Sequence, residues 1–150
     1  MDKTVPKNLS SLEDTLNTYF GEKAPQLPTN IKEAIVKYAP WITIILLILS
    51  LPSVLVLFGI GTLLAPASYL GGVQMGTKYT LSLIILAISL ILQALAIPGL
   101  MKRTKKGWNM IFYSTLVGIV SNLLSFNIGG LILGTIVPLY FLFQIRSYYK

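Results

Sequence analysis

Few residues in this chain could do acid–base, nucleophilic or metal chemistry, and their positions along it are informative. Its 150 residues include no cysteine and no histidine. That removes the thiolate nucleophile, the disulfide, the commonest general base and the commonest metal ligand. The five acids, Asp2, Glu13, Asp14, Glu22 and Glu33, all lie in residues 1–40, balanced by Lys3, Lys7, Lys23, Lys32 and Lys37. Residues 41–150 contain no acid; their seven cations (Lys78, Lys102, Arg103, Lys105, Lys106, Arg146 and Lys150) account for the net charge of +7. A nucleophile with a base, or a metal cage, cannot be assembled from what remains, so the sequence predicts no enzyme, metal or cofactor. The glycine-rich run Gly71-Gly72-Val73-Gln74-Met75-Gly76 lacks the strand and helix that would make it a phosphate cradle.

The other residues with chemical potential are uncharged polar groups inside apolar runs. Gln93 and Asn122 are amides that need partners in hydrocarbon, and the sequence pairs them with each other as intramembrane polar contacts. Ser114, Gly118, Ser121 and Ser125 recur at spacings of four, three and four, which places them on one helical face. Gly130 and Gly134 form a GxxxG. Small residues of this kind permit close helix packing, so Ser121 and Ser125 are expected beside Gly130 and Gly134, with Phe112 and Tyr113 toward the bulky end at 139–143.

These residues need membrane helices to position them. The composition is 54% hydrophobic and 11% charged, with mean hydropathy +0.73. Four uncharged apolar stretches follow residue 40, at about 41–64, 79–100, 108–126 and 128–145. Each is long enough as a helix to cross, or nearly cross, a hydrocarbon core of about 30 Å. The third is the most diluted by polar residues, and the Asn127-Ile128-Gly129-Gly130 run after it reads as a tight turn. The expected fold is an all-α polytopic membrane protein with four transmembrane helices in two hairpins, preceded by amphipathic N-terminal helices. Pro52, Pro98 and Pro138 are expected to kink or end their helices. The 65–78 connection reads as a short outer loop.

Orientation follows from charge. With the N-terminus inside, eleven basic residues lie on the cytoplasmic side against Lys78 alone outside, so both termini are expected in the cytoplasm. The Lys102, Arg103, Lys105 and Lys106 loop sets this topology and has the charge to hold anionic lipid headgroups. Topology explains the basic residues without a nucleic-acid partner. Tyr38, Trp41, Trp108, Tyr148 and Tyr149 read as inner interfacial aromatics, Tyr69 and Tyr79 as outer ones. The first apolar run begins too far in, and is too long, for a cleavable signal peptide.

Residues 1–40 form a separate cytoplasmic or interfacial segment, and residues 41–150 the four-helix membrane domain. Ser10 and Glu13 have capping-box spacing, after which Leu12, Leu16 and Phe20 line an apolar face that either lies on the membrane or docks a partner. Asn30 and Glu33 offer a second cap for a helix running toward Pro40.

Four-helix exporters of the small multidrug resistance type are similar in size. That family depends on a membrane-embedded glutamate in its first helix, and this chain has no acid after Glu33. The stretch Gly99-Leu100-Met101-Lys102-Arg103-Thr104-Lys105-Lys106-Gly107-Trp108, with Phe112-Tyr113 and the ending Leu142-Phe143-Gln144-Ile145-Arg146-Ser147-Tyr148-Tyr149-Lys150, resembles small uncharacterised four-span bacterial membrane proteins. The resemblance implies a bacterial inner membrane and no particular activity. The expectation is therefore a non-catalytic membrane subunit, structural, scaffold or accessory, working in the lipid bilayer as a homo-oligomer or with a membrane-protein partner. The alternative is an oligomeric channel or transporter for a small neutral solute, since Ser, Thr, Asn and Gln can line a pore.

Overall fold

The structure is a computed structural model that describes residues 7–150. It is all-α: helix α1 (Lys7–Leu16), a π-helical continuation (Asn17–Lys23), α2 (Thr29–Ser68), a 3-10 turn (Tyr69–Gly71), α3 (Val73–Met101), α4 (Lys105–Leu124), α5 (Ile128–Gln144) and a final 3-10 turn (Arg146–Tyr148). No strand occurs among the described residues. Consecutive helices are neighbours: α2 packs on α3, α3 most extensively on α4, and α4 on α5.

Two helical stretches are long and apolar enough to cross a membrane, Thr29–Gly71 and Val73–Met101. In their most apolar windows only 6% and 11% of residues are buried within the protein. α4 and α5 do not meet the same measure, so two membrane-length helices stand where the sequence predicts four. The polar residues that dilute α4 and the short 17-residue length of α5 account for the difference.

α2 departs from expectation at both ends. Pro40 does not separate an amphipathic helix from a span; it is buried inside one 40-residue helix that also contains Pro52 and Pro66. Backbone groups in apolar surroundings are costly when unpaired, so the helix runs through its prolines. The hydroxyls of Thr43, Ser50, Thr62 and Ser68 each bond back to a carbonyl of the preceding turn. At 1.5 Å per residue α2 is about 60 Å long, roughly twice a hydrocarbon core. At the other end, most of the expected 65–78 loop is helical, and Gly72, at φ 105, alone breaks the path into α3.

The α3–α4 turn depends on two glycines. A Cβ on Gly107 would lie 2.7 Å from the Gly99 Cα, and one on Gly99 would lie 2.5 Å from the Gly107 Cα, so the helices cross with their backbones touching. Thr104 closes the turn: its hydroxyl donates to the Gly99 carbonyl at 3.2 Å and accepts from the Gly107 amide at 3.3 Å. The α4–α5 turn is Ser125 to Asn127. Gly129 and Gly130 lie inside α5, and the left-handed residue is Phe126 at φ 51. Asn127 makes this possible by capping α5 through the Gly130 amide at 2.9 Å.

The core lies at one end, called basal here, where the α3–α4 turn, the N-terminal segment and the final residues meet. It contains Val36, Ala96, Leu100, Trp108, Phe112, Leu139, Leu142, Phe143, Ile145 and Tyr149. The Trp108 ring stacks on Phe112 at 5.3 Å and meets the Phe143 edge at 5.3 Å, while its indole N–H donates to the Leu142 carbonyl at 2.9 Å. Trp108 and Tyr149 are therefore buried core residues and not interfacial anchors.

Candidate functional site

The basal core carries a charge cluster at its edge. Helix α1 folds back so that Glu13, read from the sequence as a capping residue, is only 7% exposed. Its Oε1 accepts from Lys105 Nζ at 2.6 Å, from Arg146 Nη2 at 2.6 Å and from Arg146 Nε at 2.9 Å. Asp14 lies 3.6 Å from Arg146. Beneath them Trp108 offers its ring face, 4.0 Å from Lys105 Nζ and 5.8 Å from Arg146 Cζ, which favours both cations further. Among the described residues α1 runs from Lys7, so Ser10 lies within the helix and not at its N-cap.

Burial alone pushes the Glu13 carboxyl up, but hydrogen bonds and charge from Lys105 and Arg146 outweigh it and hold the group below its ordinary value of 4.5. Burial, joined by the neighbouring Arg146 charge, lowers the Lys105 ammonium below its ordinary value against the pull of Glu13. Glu13 is thus an ionised acid held between two cations at neutral pH.

Other bonds fasten the same segment. Gln144, 2% exposed, donates to the Phe20 carbonyl at 2.9 Å and accepts from the Leu27 amide at 3.2 Å. Tyr140 donates to the Pro25 carbonyl at 2.7 Å. Leu16 and Phe20 are partly buried against the core, whereas Leu12 is 40% exposed. The apolar face expected to lie on the membrane or dock a partner is partly covered by the protein's own core, onto which Gln144 and Glu13 draw the segment. Between segment and bundle runs a cleft of about 460 Å³, lined by Glu22, Lys32, Lys105, Arg146 and Tyr149 among others.

The predicted basic loop is divided. Lys105 belongs to the Glu13 cluster and is withdrawn from any role as a free lipid-binding charge. Lys102, Arg103 and Lys106 remain exposed.

Nearer mid-bundle, Gln93 and Asn122 do not meet. Gln93 Nε2 donates to Ser114 Oγ at 3.3 Å, and Asn122 Nδ2 donates to its own helix at the Gly118 carbonyl, 3.0 Å away. Asn122 lies against the glycine pair: its Oδ1 crowds the position of a Cβ on Gly130, and its Nδ2 is 3.5 Å from one on Gly134. Ser121 and Ser125 instead line a small cavity with Lys78 and Ser82 of α3. The stripe is therefore turned toward α3, and a longer amide fills the space the glycines leave. Gln93, Ser114, Thr115 and Gly118 line a cleft of about 370 Å³ with Thr43 of α2 and Gly134 of α5. No group of acids that could hold a metal ion occurs among the described residues.

Sequence reasoning missed Glu13, Gln144 and Arg146 as a set, and also the Gly99–Gly107 crossing. One signal was available: with no acid beyond residue 40, any buried cation in the helical domain must draw its counter-ion from the N-terminal segment. No known protein family, curated protein or solved structure matches the chain.

Proposed function

We propose that this is a polytopic membrane protein with a non-catalytic role, a structural or accessory subunit whose cytoplasmic face is a fixed platform. The observation that carries the reading is the exposed apolar surface of α2 and α3. Leu49, Leu55, Leu63, Ile84, Ile91 and Leu95 are all more than half exposed, an arrangement suited to lipid and costly in water. In this reading the uncharged 108–124 part of α4 and the 17 residues of α5 cross too, each about 25 Å long and at the lower limit for a crossing helix. The basal end then faces the cytoplasm, a placement that the distribution of basic residues supports, in a bacterial inner membrane. The latched N-terminal segment supports a platform role, because it gives a partner subunit or second copy a rigid surface at the membrane.

The test is topological. A C-terminal fluorescent protein fusion should be bright and a C-terminal alkaline phosphatase fusion inactive, with the chain remaining in the membrane fraction after carbonate washing. Release by carbonate overturns the membrane reading; an active phosphatase overturns the even number of crossings.

The second reading, passage of a small neutral solute, rests on the Gln93–Ser114 cleft, whose walls come from all four long helices. Gln93→Leu should abolish solute flux in reconstituted vesicles if this reading holds, and otherwise should alter stability alone.

A further inference from the structure

A second basal cleft, of about 510 Å³, lies away from the Glu13 latch. It is lined by Asn30, Glu33, Lys37 and Tyr38 of α2, Arg103 of the α3–α4 turn and Tyr148 of the final 3-10 turn. Among the described residues no carboxylate lies within ion-pair distance of Lys37 or Arg103, in contrast to Lys105 and Arg146. Arg103 is fixed in the left-handed region at φ 52, an uncommon conformation for a residue with a side chain. Its amide bonds to the Leu100 carbonyl at 3.1 Å, and its carbonyl accepts from the Lys150 amide at 3.1 Å. Both backbone groups are held, so the guanidinium stem starts from a fixed position. Lys37 Nζ lies 5.6 Å from the Tyr38 ring, and Trp41, one turn further along α2, begins the apolar belt. The cleft therefore stands where lipid headgroups would be.

We propose that this cleft binds the headgroup phosphate of a singly charged anionic phospholipid from the cytoplasmic leaflet. Two cations and the Glu33 carboxylate leave one positive charge in the cleft, which a phosphodiester anion neutralises. Arg103 offers a planar fork suited to two phosphate oxygens, and Lys37 a point charge. Asn30 and the tyrosine hydroxyls supply hydrogen bonds for a headgroup alcohol. The inference rests on the membrane reading above.

The full chain is reconstituted into nanodiscs of phosphatidylcholine doped with phosphatidylglycerol, and retained lipid is counted by native mass spectrometry. One phosphatidylglycerol per chain is expected, preferred about tenfold over phosphatidylcholine, as suits a cleft with one net positive charge. Lys37→Gln, on an exposed helical face, and Arg103→Gln should each reduce the preference several-fold, while Glu33→Gln should increase it. The Lys102→Gln/Lys106→Gln pair removes more charge from outside the cleft and should leave the preference in place. Equal loss in that pair, or wild-type retention without preference, overturns the site. Displacement by soluble glycerol phosphate at comparable concentration overturns the lipid as its source. A chain that fails to enter the discs overturns the membrane reading itself, which separates the two failures.

Discussion

Replacing Glu13 with Gln tests whether the N-terminal segment is latched by charge. Its Oε1 holds three donors at 2.6, 2.6 and 2.9 Å. A hydrogen bond to a charged group contributes about 1.5–3 kcal/mol, but the three share one oxygen and are not additive. The lysine and arginine side chains keep 32% and 28% exposure, so solvent weakens the interaction toward the lower end of that range. A net loss of about 2 kcal/mol follows, roughly a thirtyfold shift toward the open segment at about 1.4 kcal/mol per tenfold. Hydrogen exchange of the full chain in mild detergent reads this directly. Amides of residues 8–23 should exchange faster in the variant by at least about tenfold, while those of α3 stay unchanged. The same opening should appear in the wild type on acidification. A carboxyl held below its ordinary value contributes stability that is present above about 4.5 and lost as pH falls through its depressed folded value. The Glu13→Gln variant should lack that acid response. Exchange within twofold of wild type in residues 8–23 would refute the latch, as would an acid response unchanged by the substitution.

Gly107→Val should be among the most disruptive single changes, lowering stability by about 3 kcal/mol or more in a detergent melt, because its Cβ has no space beside Gly99. Gly118→Ala is the contrasting case: nothing lies within 4 Å of the new methyl, so the melt should shift by less than about 0.5 kcal/mol. Gln144→Ala removes the bonds to Phe20 and Leu27 and should cost about 1–3 kcal/mol. Limited proteolysis after Lys23 should accelerate in that variant and remain slow in Gly118→Ala.

Helix positions in the apolar half were legible because their signal is local: runs without charge separated by the basic 101–107 stretch and by the turn near Asn127. Pro40 was misleading because the rule that proline ends helices weakens where unpaired backbone is expensive. Trp108 was misleading because an aromatic beside lysines has the same sequence signature whether it faces headgroups or a core. The charge latch was hidden for a different reason. Glu13 and Arg146 are 133 residues apart, and no periodicity relates them. Their pairing follows from the segment folding back, a tertiary event that only the one-sided distribution of acids hints at. The amides were misassigned because depth alone suggested Gln93 with Asn122; Gln93 instead reaches Ser114 while Asn122 bonds back to the Gly118 carbonyl of its own helix, a choice set by the rotation of α4 that no sequence spacing reveals.

The unbroken length of α2 has a mechanical consequence. One helix from Thr29 to Ser68 joins the apolar surface of α2 to the basal end, where Val36 is packed into the core and Pro40 is buried. If α2 crosses a bilayer as proposed, a tilt that suits a thinner or thicker membrane is carried to the core around Val36, which also holds Leu100 and Trp108 on either side of the Arg103 turn. On that reading, membrane thickness and the packing of the basal end would be linked through a single helix.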